Sequence, residues 1–209
     1  MSGGKAPENR GARRLERVGC NDEMGDNSAD GRLSSADRCR IDCPLNIVLI
    51  GMPGAGKSSI GVLLAKRLGY DFIDTDLLIQ VEAHCRLQQI IVHHGLDAFK
   101  DLEERVVCKL APQRAVIATG GSVVYSATAM ARLQQIGRLV FLDLPLPLLQ
   151  QRVRNMDSRG LVIDPGETFA ELYARRLLLY RHYAELTIPC GELAPEEIAA
   201  AIEKALCRV

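Results

Sequence analysis

Residues 51–58 read Gly-Met-Pro-Gly-Ala-Gly-Lys-Ser and match the pattern Gly-x-x-x-x-Gly-Lys-Ser/Thr at every fixed position. The apolar run at residues 45–50 precedes this octapeptide, and apolar residues at helical spacing follow it, namely Ile60, Leu63, Leu64 and Leu68. A strand, a glycine-rich turn and a helix in this order form the setting that confirms a phosphate-binding loop. A chance glycine turn before a helix is not expected to satisfy all fixed positions and both flanks.

The residue types in this loop suit the phosphates of ATP. Glycines allow backbone N–H groups to point inward at phosphate oxygens, and the following helix adds its positive N-terminal end. Lys57 is expected to place a cation against the β- and γ-phosphates, and Ser58 to offer a hydroxyl to Mg²⁺. We predict a site for ATP with Mg²⁺ built from Gly51, Gly54, Ala55, Gly56, Lys57, Ser58 and Ser59. The loop leaves the acceptor open, since water, a nucleotide, a protein or a metabolite would each serve.

Short apolar runs alternate with longer stretches of helical spacing along the rest of the chain. The runs are too short for helices, and several are rich in Val and Ile, which favours buried strands at residues 46–50, 71–74, 115–119, 138–142 and 186–189. Helical spacing occurs at residues 57–68, 76–111, where more than one helix is expected, 126–136, 146–154, 168–184 and 195–207. This alternation predicts an α/β fold whose open parallel sheet is covered by helices on both faces.

Composition restricts the possible functions. The chain has 209 residues, of which 47% are hydrophobic and 25% are charged, and its formal net charge is +0. Because nucleic-acid-binding domains usually carry a basic excess, a nucleic-acid partner is not expected. No apolar run approaches the roughly 20 residues that span a bilayer, and no signal-peptide segment is visible, so neither a membrane partner nor export is expected.

Residues 1–43 are rich in Gly, Ser, Asn, Asp, Glu and Arg and show almost no apolar periodicity. Such a segment buries too little surface to fold, so we predict a disordered tail at residues 1–43 and one domain at residues 44–209. An organelle transit peptide is the alternative, because Arg13, Arg14 and Arg17 cluster, although the many acids count against it. The seven cysteines are odd in number and irregular in spacing, which favours free thiols and a cytoplasmic location.

Carboxylates follow two of the predicted strands. Asp74 and Asp76 follow the apolar pair that ends at Ile73, and Asp143 follows the apolar run at residues 139–142. A carboxylate at a strand end supports the metal of a phosphate-binding loop, and Asp143 is the generic choice. The Asp-x-Asp pair would instead serve Mg²⁺ with one side chain and an acceptor hydroxyl with the other. Its alternative interpretation is a helix N-cap.

From these landmarks onward the sequence resembles the shikimate kinase family, over residues 45–209. Beyond the loop and the Asp-x-Asp pair, the matching positions are Gly95, Phe99, Lys100, Glu103, residues 116–121, Arg152, Arg159, Arg176 and Tyr180. The resemblance implies a P-loop kinase fold of three α/β/α layers, with a five-stranded parallel sheet in the order 2-3-1-4-5. It also implies a substrate-binding helical region near residues 77–105 and a mobile lid near residues 155–166, where the sequence is polar and as long as many binding loops.

The resemblance also implies roles for individual residues. Catalysis would fall to Lys57, Asp76 and Arg159. Asp76 would accept the proton or hydrogen bond of the acceptor hydroxyl, and Arg159 would reach the transferring phosphate from the lid. Ser58 and Asp74 would lie near Mg²⁺, with Asp74 acting through water.

A further set of roles concerns the two ligands. Arg152 would stack near adenine, and Arg176 would bind the carboxylate of a small hydroxy metabolite. Gly120 and Gly121 would present backbone N–H groups to that metabolite. The whole predicted acceptor site comprises Asp76, Lys100, Gly120, Gly121, Ser122 and Arg176.

The departures from the family pattern fall on the acceptor side. Ser122 replaces a third glycine, so a side chain stands where backbone approached ligand unless φ is ordinary there. Lys100 replaces an arginine, and lysine binds a carboxylate as a point charge rather than through two parallel hydrogen bonds. In the lid, Gly160 replaces a proline, which loosens the chain. Outside the lid, Leu96 replaces the glutamate that follows the glycine at position 95.

We therefore predict a monomeric enzyme that phosphorylates the 3-hydroxyl of shikimate with ATP, in the chorismate pathway to aromatic amino acids. A kinase for another small hydroxy acid, such as a gluconate-like sugar acid or homoserine, stays open because of the departures. So does a ligand-sensing module without catalysis, although such modules usually lose the loop lysine or the acidic pair. The pattern after Asp76 disfavours a nucleoside monophosphate kinase.

Overall fold

The structure, a computed structural model, describes residues 46–154 and 166–207. Its strands are β1 Asn46–Ile50, β2 Asp71–Asp74, β3 Ala115–Ala118, β4 Gly137–Asp143 and β5 Leu186–Pro189. Its helices are α1 Lys57–Leu68, α2 Thr75–Ala83, α3 Leu87–Cys108, α4 Ala127–Ile136, α5 Leu146–Arg154, α6 Phe169–Tyr183 and α7 Pro195–Leu206. A short 3₁₀ helix, Val123–Tyr125, lies between β3 and α4.

The five strands form a single parallel sheet in the order β2-β3-β1-β4-β5. In the register of the central strands, Val48 of β1 lies between Ile117 of β3 and Leu139 of β4. The predicted α/β class and the predicted order 2-3-1-4-5 are both confirmed. A parallel sheet of this order directs the loops after β1 and β3 to the same edge, which is where ligands bind in such folds.

The central strands are apolar without alternation because both of their faces are covered. Every residue of β1 and of β3 is buried. Helix α1 packs against α7 and β3, whereas α3 packs against α4, which in turn packs against β4. Since residues on both faces of a parallel strand lie under helices, continuous Val, Ile and Leu runs are the expected sequence pattern.

A second, smaller hydrophobic cluster joins α2 to α3 and positions the part of the molecule that follows β2. Its buried members are Ile79, Ile90, Phe99, Leu102 and Val106. The predicted helical stretch at residues 76–111 is therefore two helices, and α3 is itself kinked at Gly95, where φ is 83° and ψ is 171°. This cluster fixes α2 and α3 relative to each other.

Several sequence predictions fall on residues that the structure does not describe. They are the tail at residues 1–43 and, apart from Gly166, the lid near residues 155–166 with Arg159 in it. Across residues 46–154 and 166–207, no helix has both the length and the apolar character that crossing a membrane requires. The described cysteines, Cys85, Cys108, Cys190 and Cys207, are free thiols, as the sequence predicted.

Candidate active site

A cavity of about 470 Å³ lies where the loops after β1 and β3 meet the start of α2. It brings together most of the predicted site residues, which are Gly54, Gly56, Lys57, Ser58, Ser59, Asp76, Gly120, Gly121, Ser122, Arg152 and Arg176. Predicted residues that do not line it are Gly51, Ala55, Asp74 and Lys100. Residues that are distant in the chain, from Pro53 to Ile198, thus converge on one volume because the sheet aligns their loops.

The loop between β1 and α1 presents an uncapped helix N-terminus to the cavity. Gly54 and Gly56 have φ of 83° and 90°, a left-handed conformation that glycine adopts without steric cost. Gly56 is the N-cap of α1, no side chain caps the first turn, and that turn contains no acidic residue. Its N–H groups and the positive end of the helix dipole therefore remain available to an anion such as phosphate.

Lys57 is the buried cation of the loop. Its Nζ donates hydrogen bonds to the carbonyl oxygens of Gly51 at 2.7 Å and Met52 at 2.9 Å, which fixes the ammonium beneath the loop. Burial lowers the pKa of Lys57 to about 8, and the negative charge of Asp76 opposes that shift. The side chain is thus mostly cationic at pH 7 and lies where phosphate oxygens would meet it.

Ser58 and Asp74 are in direct contact. Oγ of Ser58 donates to Oδ2 of Asp74 at 2.7 Å, while Oδ1 of Asp74 accepts the backbone N–H of Asp76 at 3.0 Å and caps α2. The Asp74 side chain therefore both caps α2 and contacts the serine of the loop. Asp143 lies elsewhere, at 3.6 Å from Nη2 of Arg181, and does not line the cavity.

Gly120 and Asp76 form the middle of the cavity wall. The N–H of Gly120 donates to Oγ1 of Thr75 at 3.1 Å, so the predicted N–H contact of Gly120 with a ligand is not the arrangement in this structure. The lack of a side chain at Gly120 instead allows two carboxylates to approach its Cα. A Cβ there would collide with Oε1 of Glu103 and come within 2.9 Å of Oδ1 of Asp76. Two carboxylates therefore border the Cα of a single glycine.

Ser122 has ordinary backbone angles, with φ of −91° and ψ of −14°, so its replacement of glycine introduces no strain. Its hydroxyl donates to Oε2 of Glu103 at 2.6 Å, and both residues are buried. Burial raises the pKa of Glu103 to about 7, a shift that the Ser122 hydrogen bond opposes. The family landmark Glu103 received no role from the sequence, since its contact with Ser122 depends on how α3 packs.

Arg176 is a fully buried arginine that lines the cavity. Its Nε donates to the hydroxyl of Tyr125 at 3.1 Å, and its guanidinium carbon lies 5.1 Å from the centre of that ring. Tyr180, one turn later in α6, donates to the carbonyl oxygen of Gly121 at 2.7 Å. Helix α6 is thereby tied to the loop after β3, and the arginine fork is held in a fixed orientation suited to a carboxylate.

Lys100 is placed differently from the sequence expectation. Its Nζ lies 3.5 Å from Oδ1 of Asp97, one helical turn earlier, and its side chain is about one-third exposed. The structure therefore does not bring Lys100 together with Arg176 around one carboxylate. The kink at Gly95 lies between the buried residues Ile90 and Phe99 of α3, and it changes the direction of the helix just before Lys100 in a way that a sequence pattern does not report.

Another part of the cavity wall was missed by the sequence analysis. Leu193, Pro195 and Ile198 line the cavity together with Arg152. Apolar side chains beside a guanidinium suit the face of a planar heteroaromatic base. Pro195 is the first residue of α7, where proline is favoured, so the sequence signals a helix start there but not a binding role.

Comparisons with known proteins agree with one another. A family model described as shikimate kinase matches residues 53–207. The shikimate kinase of Thermodesulfovibrio yellowstonii is 38% identical over 162 residues, which cover 76% of this chain and 93% of that protein. The shikimate kinase of Rippkaea orientalis is 38% identical over 166 residues, covering 78% and 88%. Among solved structures, the shikimate kinase from Acinetobacter baumannii in complex with shikimate is similar, with a TM-score of 0.74, 30% identity and coverage of 80% of this chain and 96% of that one.

Proposed function

The chain belongs to the shikimate kinase family, and we propose that it transfers the γ-phosphate of ATP to the 3-hydroxyl of shikimate. Relatives named shikimate kinase match it over most of their length, and a similar structure was solved with shikimate bound. The phosphorylated product would enter the route to chorismate and the aromatic amino acids.

The observation that carries this proposal is that one cavity joins Lys57 and Ser58 of the loop to Asp76 and Arg176. Phosphoryl transfer needs little covalent chemistry from a protein, and it is accelerated mainly by holding donor and acceptor in line and by stabilising charge. A cavity with phosphate-binding groups on one wall and a carboxylate and an arginine on another meets both needs.

On the donor side, the N-terminal N–H groups of α1 and the ammonium of Lys57 would bind the β- and γ-phosphates. Arg152, together with the apolar side chains of Leu193, Pro195 and Ile198, would enclose the adenine. The negative charge that develops on the transferring phosphate would lie against Lys57, which is cationic below its pKa of about 8.

We propose Mg²⁺ as the metal that accompanies ATP. The oxygen donors at the loop fit it, since the Ser58 hydroxyl and the Asp74 carboxylate lie 2.7 Å apart and Mg²⁺ prefers oxygen ligands. Ser58 would bind the ion, and Asp74 would hold a water molecule of its coordination shell. Bound there, the ion would neutralise charge on the β- and γ-phosphates.

On the acceptor side, Asp76 would accept the proton or hydrogen bond of the reacting hydroxyl, and Arg176 would bind the carboxylate of shikimate. Arg176 is buried and lines the cavity, and its planar guanidinium matches a carboxylate in shape and charge, so a carboxylate-bearing acceptor is favoured. Gly121 would add a backbone N–H, and Lys100, which does not line the cavity, would contribute a weaker, less directional attraction. Arg159, from the predicted lid, would reach the transferring phosphate and close the site to water.

The test is a coupled assay of ADP release with ATP, Mg²⁺ and one acceptor at a time: shikimate, gluconate, homoserine or none. We expect release only with shikimate, and none when the Lys57→Ala protein replaces the wild type. If ADP is released only with gluconate or only with homoserine, the acceptor assignment is wrong and the kinase assignment stands. ATP binding by calorimetry without release on any acceptor would indicate a sensing module instead.

We further propose that the chain works as a monomer in the cytoplasm, without a nucleic-acid or membrane partner. A formal net charge of +0 counts against a nucleic-acid partner, and the four free thiols among the described residues suit a reducing compartment. Light scattering after gel filtration should give the mass of one chain at assay concentrations, and the mass of two chains would contradict it.

A further inference from the structure

A buried hydrogen bond joins the loop after β3 to the middle of α3 at the edge of the cavity. It runs from Oγ of Ser122 to Oε2 of Glu103 at 2.6 Å, and the two residues are 4% and 2% exposed. Ser122 lines the cavity, whereas Glu103 lies behind it. Because Ser122 stands where the family pattern has a glycine, this bond is a feature of this chain's acceptor side.

The second carboxylate oxygen of Glu103 is directed at the same wall. Oε1 is buried, and within residues 46–154 and 166–207 nothing donates a hydrogen bond to it. It faces the Cα of Gly120, next to Oδ1 of Asp76, so a Cβ at that glycine would collide with it. A buried acceptor without a donor is unfavourable, and it persists here because the other oxygen is held.

Lys100 does not provide the holding contact. It precedes Glu103 by three residues on α3, a spacing that allows an ion pair on a regular helix. Its Nζ lies instead 3.5 Å from Oδ1 of Asp97 on the preceding turn. The described hydrogen bond to the Glu103 carboxylate therefore comes from the loop after β3 and not from α3 itself.

We propose that Ser122 is a positioning residue for the acceptor hydroxyl, acting by holding Glu103 so that Oε1 stays beside Gly120 and Asp76. Glu103 then serves as a second carboxylate that sets the charge on the hydroxyl-binding wall. When Glu103 is ionised, its negative charge makes Asp76 a stronger acceptor for the proton of the reacting hydroxyl. This inference rests on the proposed function, because it assigns the hydroxyl-binding wall to the acceptor.

The charged groups around Glu103 place its titration near neutrality. They are Asp76 from α2, which raises the pKa, and Arg176 from α6 and Lys57 from α1, which lower it. Burial is the largest effect and brings the pKa to about 7, while the Ser122 hydrogen bond favours the ionised form. Removing the hydroxyl therefore shifts the ionisation to higher pH, by about one pH unit for the loss of one hydrogen bond to a charged group.

The test compares the pH dependence of kcat and KM for shikimate in the wild type, Ser122→Ala, Ser122→Thr and Glu103→Gln. We expect kcat of the wild type to fall as pH drops through about 7. Ser122→Ala should show that fall about one pH unit higher, Ser122→Thr should restore it, and Glu103→Gln should lack it. Ser122→Ala should lower kcat at pH 7 several-fold, with a smaller effect on KM.

A matched control is available on the same pair of elements. Oγ of Ser126 donates to Oε2 of Glu104 at 2.6 Å, and neither residue lines the cavity. Ser126→Ala removes an equivalent bond and should leave the pH profile of kcat unchanged. Coincident profiles for Ser122→Ala and the wild type, or persistence of the ionisation in Glu103→Gln, would overturn the inference.

A measurement without turnover separates this inference from the proposed function. Because the folded pKa of Glu103 lies above 4.5, its contribution to stability is complete below pH 4.5 and is lost as pH rises through about 7. The urea midpoint of Glu103→Gln should therefore exceed that of the wild type by more at pH 8 than at pH 5. An equal difference in urea midpoint at both pH values would refute the titration of Glu103. If the expected difference is found but no acceptor is phosphorylated, only the proposed function is wrong.

Discussion

The two walls of the cavity are built in different ways. The phosphate-donor wall comes largely from one continuous stretch, residues 53–60, which presents the N-terminus of α1 and the side chain of Lys57 to the cavity. The acceptor wall is assembled from α2, α3, the loop after β3 and α6, through Asp76, Glu103, Ser122 and Arg176. A backbone-built site needs only a few fixed residue types, whereas a side-chain-built site depends on how four elements pack.

The two walls also respond to pH in opposite directions. Burial lowers the pKa of Lys57 on the donor wall to about 8 and raises that of Glu103 behind the acceptor wall to about 7. Lys57 is charged below its pKa and Glu103 above its pKa, so a rise in pH removes a cation from the donor wall and adds an anion behind the acceptor wall. Both shifts follow from burying one group of each sign near the same cavity.

The largest effect should come from breaking the donor wall. Lys57→Ala removes the buried ammonium that faces the phosphates, and we expect turnover to fall about 10³-fold or more. The fold should survive, because Lys57 bonds only to loop carbonyls and leaves β1 and α1 intact. Steady-state ADP release and circular dichroism check this, with Lys66→Ala in the exposed last turn of α1 as the control. Turnover near that of the wild type would remove the donor-site assignment.

The next largest effect is expected from a substitution on the acceptor wall beside the reacting hydroxyl. Asp76→Asn keeps the shape of the side chain but loses the charge that draws the hydroxyl proton, so kcat should fall about 100-fold. KM for shikimate should change far less. The exposed Asp101→Asn on α3 makes the same chemical change away from the cavity. A larger effect on KM than on kcat would mean that Asp76 binds the acceptor without assisting transfer.

Breaking the acceptor wall at its non-reacting end should act through binding. Arg176→Ala removes the buried guanidinium that we assign to the substrate carboxylate, so KM for shikimate should rise about 30-fold with kcat less affected. Arg175→Ala is the control, since Arg175 also lies 5.1 Å from the Tyr125 ring centre but pairs with Glu167 at 2.8 Å. Equal effects of the two substitutions would show that α6, rather than the carboxylate contact, was disturbed.

The same contrast explains what the sequence predicted well. Residues 51–58 carry their conformation in their own glycines, and short Val- and Ile-rich runs under helices have few alternatives to a buried strand. The sheet order came from the family resemblance and was confirmed. The strands predicted at residues 71–74 and 186–189 are β2 and β5 without a change of boundary.

What the sequence did not predict lies on the acceptor wall, where side-chain direction decides. Nζ of Lys100 lies near Asp97, and the N–H of Gly120 donates a hydrogen bond to Thr75, because neighbouring groups compete for the same contacts. Glu103 meets Ser122 only after α3 has packed against the loop that follows β3. The contacts of Gly120 with Thr75 and of Glu103 with Ser122 join residues 45 and 19 positions apart, which local patterns do not report.

The donor wall should lose function at high pH. Lys57 is charged below its pKa of about 8 and neutral above it, so kcat/KM for ATP should fall tenfold per pH unit above that value. The ratio kcat/KM reports the free enzyme, in which the lysine is held by two carbonyl oxygens. Lys57→Arg keeps its charge to far higher pH, so whatever activity that variant retains should lack the fall. A profile flat to pH 10 in the wild type would contradict the lowered pKa.

The smallest expected effect restores a family residue on the acceptor wall. Lys100→Arg supplies a planar fork that binds a carboxylate through two parallel hydrogen bonds, where lysine offers a point charge. Because Lys100 does not line the cavity and its Nζ lies 3.5 Å from Oδ1 of Asp97, only part of that gain should be realised, and KM for shikimate should fall about threefold. Lys109→Arg, at the end of α3 and paired with Glu82, makes the same change outside the cavity. If Lys100→Arg instead raises KM for shikimate while gluconate or homoserine is turned over well, this wall has been reshaped for that acid. The assignment of the donor wall, and with it the assignment as a kinase, would stand, since no part of that wall depends on position 100.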